Sequence, residues 1–212
     1  MKPWEGHRFG IEKLRDVLNW CLEYNIRQVS IWVLSTENLR RSKEELDAIF
    51  RLLWEYMKKW EEEKSPFYEL VRKYEVQVRF FGDFRKLPPE IVRLMRTIMR
   101  KTRKYHKTML NFLVCYGGKF ELTQAVKKLI KKAKESGRIR ITEKTIEKHL
   151  LIQSNVDLII RTGGMSRLSN FLLWQSAYSE IYVTETLWPA FTKNEFVKAL
   201  EWFSSVQRNF GR

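Results

Sequence analysis

The stretch LIIRTGGMSRLSNFLLWQ, residues 158–175, joins two apolar runs through a loop that holds Arg161, Gly163, Gly164, Arg167 and Ser169. Taken alone the loop fits two readings. Glycines make turns and arginines cover helix ends, so it can be structural. Alternatively, glycines let backbone N–H groups converge and guanidinium forks add charge, so it can grip an anion. The chain around it has to decide.

Working outward, VDLIIR (156–161) is a β-branched run that predicts a strand, and FLLWQSAY (171–178) predicts a helix before a strand EIYVT (180–184) and a last helix over 192–206. Upstream, Ile11, Leu14, Leu18, Cys21 and Leu22 recur at helical spacing, and QVSIWVLS (28–35) predicts a strand. Ser42 with Glu45 forms a capping-box pattern that opens a helix to about residue 64, carrying Leu46, Ile49, Leu53, Tyr56 and Trp60 before Pro66 interrupts it. A short helix (67–74), a strand (76–82), a helix from Pro88, a strand (109–116), a helix (119–135) and a small helix (142–150) complete the order. Apolar strands alternating with helices predict a single α/β domain whose mostly parallel central sheet is flanked by helices on both faces. Ligands gather at the carboxyl ends of such strands, where two polar loops fall: STENLRRS after 28–35 and RTGGMSRLSN after 156–161.

The 212 residues suffice for one sizeable core. Forty Lys and Arg against 25 Asp and Glu give a net charge of +15, which favours an anionic partner without choosing among nucleic acid, a phosphorylated small molecule and an acidic membrane. Runs such as KKLIKKAKESGR (127–138) read as solvated helix faces. The only cysteines, Cys21 and Cys115, lie in apolar segments, which excludes a disulfide framework and fits a reducing cytoplasm. No apolar run reaches the ~18 residues of a membrane span.

Arg161, Arg167, the Ser169 hydroxyl and the Gly163-Gly164 amides would cage a phosphate or diphosphate. P-loop and dinucleotide fingerprints are absent. In the other loop, Asn38 could cap a turn and Glu37 pair with a neighbouring arginine. Glu180, a carboxylate between buried segments, needs a partner or a metal, and His7 in GHRFG ahead of a helix could cap it or bind phosphate. His106 and His149 lack metal-ligand spacing and read as surface residues.

Together, GHRFG (6–10), LSTENLRR (34–41), FFGD (80–83), NFLVCYGG (111–118) and the run 158–189 resemble the cis-prenyltransferases, the undecaprenyl and dehydrodolichyl diphosphate synthase family. The resemblance implies a cytoplasmic, homodimeric, non-Rossmann α/β enzyme that uses Mg2+ to condense isopentenyl diphosphate onto an allylic diphosphate of farnesyl or geranylgeranyl type. A polyprenyl carrier-lipid precursor would result, with peripheral membrane contact for product release and no role for nucleic acid. By resemblance Arg161, Arg167 and Ser169 form the isopentenyl diphosphate cage, with Gly163, Gly164 and Leu168 in the same loop. Asn38, helped by Ser35, resembles the residue placed for proton removal, and Thr36, Glu37, Leu39 and Arg41 line the same substrate loop. His7 resembles the histidine near the allylic diphosphate, and Glu180 a carboxylate serving magnesium. Helix 42–64 and strands 76–82 and 109–116 would line a tunnel for the tail, although plain core explains them as well.

Three departures stand out. The family's opening strand and M-D-G-N-x-R-W-A loop have no counterpart before residue 6, so the chain reads as one N-terminally incomplete domain; a start placed too late, a non-catalytic partner subunit, or an aspartate supplied by another chain would each account for it. Retention of Asn38, Arg41, Arg161, Arg167 and Glu180 favours the first. Ser166 stands where members often carry a metal-binding histidine, and Asn209 where an arginine is usual.

Overall fold

The computed structural model describes residues 5–138 and 140–208, so Asn209 lies outside the described residues. Strands β1 (Gln28–Ser35), β2 (Val76–Phe81) and β3 (Thr108–Tyr116) form a parallel sheet in the order β1-β3-β2. Its register runs from Gln28 opposite Met109 and from Val76 opposite Thr108. β4 (Leu158–Thr162) and β5 (Glu180–Thr184) form a second parallel pair, with Leu158 opposite Glu180. The expected parallel sheet is therefore present in two pieces, and β1 and β4 each have one ladder partner among the described residues. β3, paired on both edges, is buried along nearly its whole length, whereas residues 28–33 of β1 stay half-buried.

Helix α1 (Glu5–Glu23) packs Val17, Trp20 and Cys21 against Phe191 and Phe196, and Val29 of β1 and Ile160 of β4 both join this cluster. One helix thus touches both sheets. Helix α2 (Lys43–Glu61) buries Ile49, Leu53, Met57 and Trp60, one face at helical spacing. These meet Phe67 and Val71 of α3 (Pro66–Lys73), Ile91, Leu94, Met95 and Ile98 of α4 (Pro89–Thr102), and Phe80 and Phe112 of the sheet. The residues assigned to either a tunnel or a core form one packed cluster.

Helices α5 (Gly118–Ser136), α6 (Glu143–Glu147) and α7 (Lys193–Ser205) complete the fold. α7 opens with a full capping box, Thr192 Oγ1 accepting from the Glu195 backbone and the Glu195 carboxylate accepting from the Thr192 N–H. That carboxylate also accepts from Thr184 and Thr186, tying α7 to the carboxyl end of β5. Hydrogen bonds from Thr186 and Thr192 hold the Glu195 carboxyl down at about 2, so it is ionised at neutral pH. Thr192→Ala is expected to cost about 1 kcal/mol, lowering Tm by roughly 2–4 °C in thermal unfolding. An unchanged Tm would show that the cap carries no stability.

Three local expectations are corrected. His7 sits inside the first turns of α1 rather than ahead of it. Residues 171–178 form a series of turns instead of a helix, because Ser169, Asn170 and Leu172 take positive φ (49°, 73° and 41°) that a right-handed helix cannot contain. At α2, Ser42 Oγ does accept from Glu45 N at 3.2 Å, but the Glu45 carboxylate turns away to Arg41 Nη1 at 2.7 Å. A charge-assisted bond to a guanidinium outweighs one to a neutral N–H. No described helix is long and apolar enough to cross a membrane.

Candidate active site

Both polar loops emerge at the carboxyl ends of parallel strands. After β1 the chain makes one tight helical turn, Glu37–Arg40, closed by a reciprocal pair: Asn38 Oδ1 accepts from Ser35 N at 2.9 Å, and Ser35 Oγ accepts from Asn38 N at 3.0 Å. The cap expected of Asn38 is thus made, and it leaves the amide side chain on the wall of a cleft. The expected Glu37–arginine pair is not made. Glu37 accepts instead from Thr36 Oγ1 (3.0 Å) and from Asn170 Nδ2 (2.8 Å), across to the second loop. Burial pushes the Glu37 carboxyl up, but the hydrogen bonds from Asn170, its own backbone, Thr36 and Ser35 outweigh this and hold it below its usual range.

Asn170 is the hub that sequence reading missed. Its Oδ1 accepts from Lys119 N (2.8 Å) and its backbone oxygen from Gly118 N (2.7 Å), so one residue joins the loops after β1 and β4 to the start of α5 after β3. The crossing is tight at Gly117, where a Cβ would lie 2.5 Å from Asn170 Nδ2 and 2.6 Å from Thr36 Oγ1. The available signal was an asparagine in a turn-rich stretch, since Asn tolerates positive φ better than other non-glycine residues.

In the second loop Gly163 and Gly164 take φ of 86° and 73°. A side chain at 164 would also collide with the Glu185 carboxylate, 2.3 Å from the site of its Cβ. Their N–H groups do not converge on open space: Gly163 N donates to Thr186 O and Gly164 N to Thr184 O, both at 2.9 Å. The glycines therefore shape the turn, and the expected amide contribution to an anion cage is withdrawn. The arginines remain. Arg161 Nη1 donates to the Arg167 carbonyl oxygen, while its buried Nε has no partner. Among the described residues neither Arg161 nor Arg167 makes an ion pair. Burial, then the neighbouring Arg167 charge, pull the Arg161 pKa down, yet a guanidinium stays protonated at neutral pH. Two adjacent positive groups without a counterion favour an anion between them.

A cleft of about 340 Å3 joins the two loops, lined by Ser35, Glu37, Asn38 and Ser169 at its polar side and by Trp32, Val33 and Leu34 at its apolar side. Ser169, Asn170 and Leu172 hold strained backbone beside it, a feature that clusters at functional sites. Leu168 is half-buried in this loop, and Leu39 packs on the main core.

His7, Arg41 and Glu45 form a separate cluster. Arg41 binds Glu45, whose Oε1 lies 3.9 Å from His7 Nε2. Burial and then the Arg41 charge lower the His7 pKa, keeping the imidazole neutral at pH 7. Its buried Nε2 makes no hydrogen bond.

Glu180 opens β5 at the end away from the loops, its N–H bonded to Asp157 O. Three steps along the strand separate it from Val183, the partner of Arg161, a distance of roughly 10 Å. No group of three or more His, Cys, Asp or Glu side chains that could hold a metal occurs among the described residues. Of the carboxylates near the loops, Glu37 is engaged by Asn170 and Thr36 and Glu45 by Arg41, whereas Glu185, beside Gly164, makes no ion pair among the described residues. Among the described residues the carboxylates therefore do not gather into a set that fits magnesium, and the chemistry below rests on side chains alone.

Residues 1–211 match the family described as "Putative undecaprenyl diphosphate synthase". The chain is 42% identical to a tritrans,polycis-undecaprenyl-diphosphate synthase (geranylgeranyl-diphosphate specific) of Methanopyrus kandleri, over 100% of this chain and 78% of that protein. It is 38% identical to an isoprenyl transferase of Thermus thermophilus, over 100% of this chain and 82% of that protein. The fold superposes on the crystal structure of lavandulyl diphosphate synthase from Lavandula x intermedia in complex with dimethylallyl diphosphate, with TM-score 0.89, 30% identity and coverage of 99% and 89% of the two chains. A probable undecaprenyl diphosphate synthase from Campylobacter jejuni gives TM-score 0.84 at 33% identity, covering 97% and 93%. With two arginines that lack ion pairs in the loop whose Ser169 lines a half-apolar cleft at the tips of parallel strands, and likeness to prenyl transferases over the whole of this chain, the chain belongs to the undecaprenyl diphosphate synthase family of cis-prenyltransferases, enzymes of cis-prenyl chain elongation.

Proposed function

We propose that the enzyme condenses isopentenyl diphosphate with an allylic diphosphate of farnesyl or geranylgeranyl type and lengthens a Z-polyprenyl diphosphate destined for a carrier lipid. The name of the Methanopyrus relative favours geranylgeranyl diphosphate as the primer. The observation that carries this reading is the pair Arg161 and Arg167, without ion pairs among the described residues, in the loop whose Ser169 lines a cleft that is polar at Ser35 and Asn38 and apolar at Trp32, Val33 and Leu34. The arginines take the diphosphate of the isopentenyl unit, and Ser169 adds a hydroxyl. The allylic C–O bond breaks to release diphosphate, a C–C bond forms, and the isopentenyl unit loses a proton to the released diphosphate, with the Asn38 amide orienting the transfer. The apolar wall shields the electron-poor allylic carbon from water.

His7 and Arg41 are the part of the proposal that takes the allylic diphosphate, with the Arg41 guanidinium exchanging the Glu45 carboxylate for a phosphate oxygen and the neutral His7 imidazole adding a hydrogen bond. A homodimer is part of the proposal, and Glu180 can serve this centre only from the second copy. Magnesium then acts with the diphosphate substrate rather than in a cage built by one chain. The enzyme works in the cytoplasm and touches a membrane peripherally to release product.

The test is steady-state incorporation of isopentenyl diphosphate onto geranylgeranyl diphosphate. Arg161→Ala and Arg167→Ala are each expected to raise KM for isopentenyl diphosphate roughly fivefold to 150-fold, equivalent to about 1–3 kcal/mol, the worth of a charge-assisted bond. A KM unchanged in both variants removes the cage. Turnover that appears only when a catalytic homologue is added would instead make the chain a partner subunit.

A further inference from the structure

Helix α5 starts at the candidate site, where the Gly118 and Lys119 N–H groups bind Asn170. Its inner stripe includes the buried Glu121, Ala125 and Leu129. On its outer surface Val126 and Ile130, one turn apart, are 47% and 52% exposed. Lys127 and Lys134 lie three and four residues from Ile130 and so flank it, with Lys131 beyond. Along its length the helix carries six lysines and two acids, of which Glu121 is buried and Glu135 pairs with Lys131 at 3.8 Å. The other five lysines make no ion pair among the described residues. The returning chain repeats the pattern, with Ile141, 57% exposed, between Arg140 and Lys144.

A merely solvated face needs no aliphatic side chains, and a nucleic-acid face would interleave aromatic stacking groups among its cations, which the exposed part of α5 lacks. Aliphatic side chains bordered by long lysines suit the boundary of an anionic bilayer, where Val126 and Ile130 enter the acyl margin and the ammonium groups stay at the headgroups. We propose that the outer face of α5 docks the enzyme on an anionic lipid membrane, placing the helix that begins at the active site against the surface that receives the product. The biological purpose rests on the proposed lipid product, whereas docking itself can be measured without turnover.

The experiment is co-sedimentation of the full chain with large unilamellar vesicles of phosphatidylcholine, alone or mixed with phosphatidylglycerol. Binding to the mixed vesicles is expected to be about tenfold or more tighter than to neutral ones and to weaken as salt is raised. The triple variant Lys127→Gln, Lys131→Gln, Lys134→Gln and the double variant Val126→Asn, Ile130→Asn are each expected to lose about tenfold or more, while Lys43→Gln, Lys86→Gln, Lys104→Gln binds as the parent does. Circular dichroism establishes that each variant is folded. Equal binding by all variants, an equal loss in the control triple, or a preference for duplex DNA over acidic vesicles overturns the proposal. A chain that binds acidic vesicles but forms no prenyl product keeps this surface and loses the proposed function; the converse result does the opposite.

Discussion

Asn38→Ala is expected to lower kcat by about a hundredfold or more while leaving KM for isopentenyl diphosphate within a few fold. The amide takes no part in the arginine cage, so truncating it removes little ground-state binding. It does remove a polar group on the cleft wall, from the residue whose backbone N–H binds the Ser35 hydroxyl, at the place where the isopentenyl proton is proposed to leave. The amide oxygen is held by the Ser35 N–H at 2.9 Å, so its orientation is fixed before substrate arrives. Asn38→Asp keeps an oxygen in the same hydrogen bond and therefore separates chemistry from shape. If the residue served only to cap the turn, the aspartate variant would recover parent turnover. In a role in proton removal the aspartate variant and the parent differ in their pH profiles, because a carboxylate titrates and an amide does not. Turnover of Asn38→Ala at the parent level rules out the role.

Glu121→Ala is expected to cost about 3–5 kcal/mol of unfolding free energy in urea denaturation. The side chain is 1% exposed and accepts four hydrogen bonds: Tyr116 Oη at 2.6 Å, Leu151 N at 2.8 Å, Ile152 N at 2.9 Å and Gln175 Nε2 at 3.0 Å. Alanine would strand two backbone N–H groups, a phenol and an amide in a dry interior. Burial and then the Glu121 charge push the Tyr116 pKa up, so the phenol remains a donor at any working pH. The network also ties β3 and α5 to the turns over 171–176 that follow the arginine loop. Glu121→Gln keeps an acceptor for Leu151 and Ile152 but sets an amide against another donor, so a smaller loss is expected. A loss under about 1 kcal/mol for the alanine variant would show that water repairs the site.

Much of this was legible because regular elements announce themselves by period. The apolar runs 28–35, 76–82 and 109–116 lie where the pattern places strands, to within a residue at their ends, and of the expected stripe Ile49, Leu53 and Trp60 are buried while Leu46 and Tyr56 stay half-buried and Met57 joins the core instead. The arginine loop was legible only as one of two readings, since arginines can also cover helix ends, and the resemblance of the surrounding motifs favoured the anion. The failures share a physical cause, which is competition from distant groups. FLLWQSAY has helical composition, but the positive φ values at 169, 170 and 172 that swing the loop back toward α5 forbid a helix there. Glu45 had the spacing for a capping box, and Arg41 drew its carboxylate away. The Gly163 and Gly164 amides could have cradled an anion, yet the carbonyls of Thr184 and Thr186 lie closer. Asn170 joins residues from three loops, and no local window contains its partners.

The most direct test of the central claim is a crystal structure of the enzyme soaked with isopentenyl diphosphate. The account predicts the diphosphate between Arg161 and Arg167, within hydrogen-bonding distance of Ser169, with the hydrocarbon end in the cleft beside Asn38 and Leu34. Diphosphate bound elsewhere while both guanidiniums keep only protein contacts would contradict it.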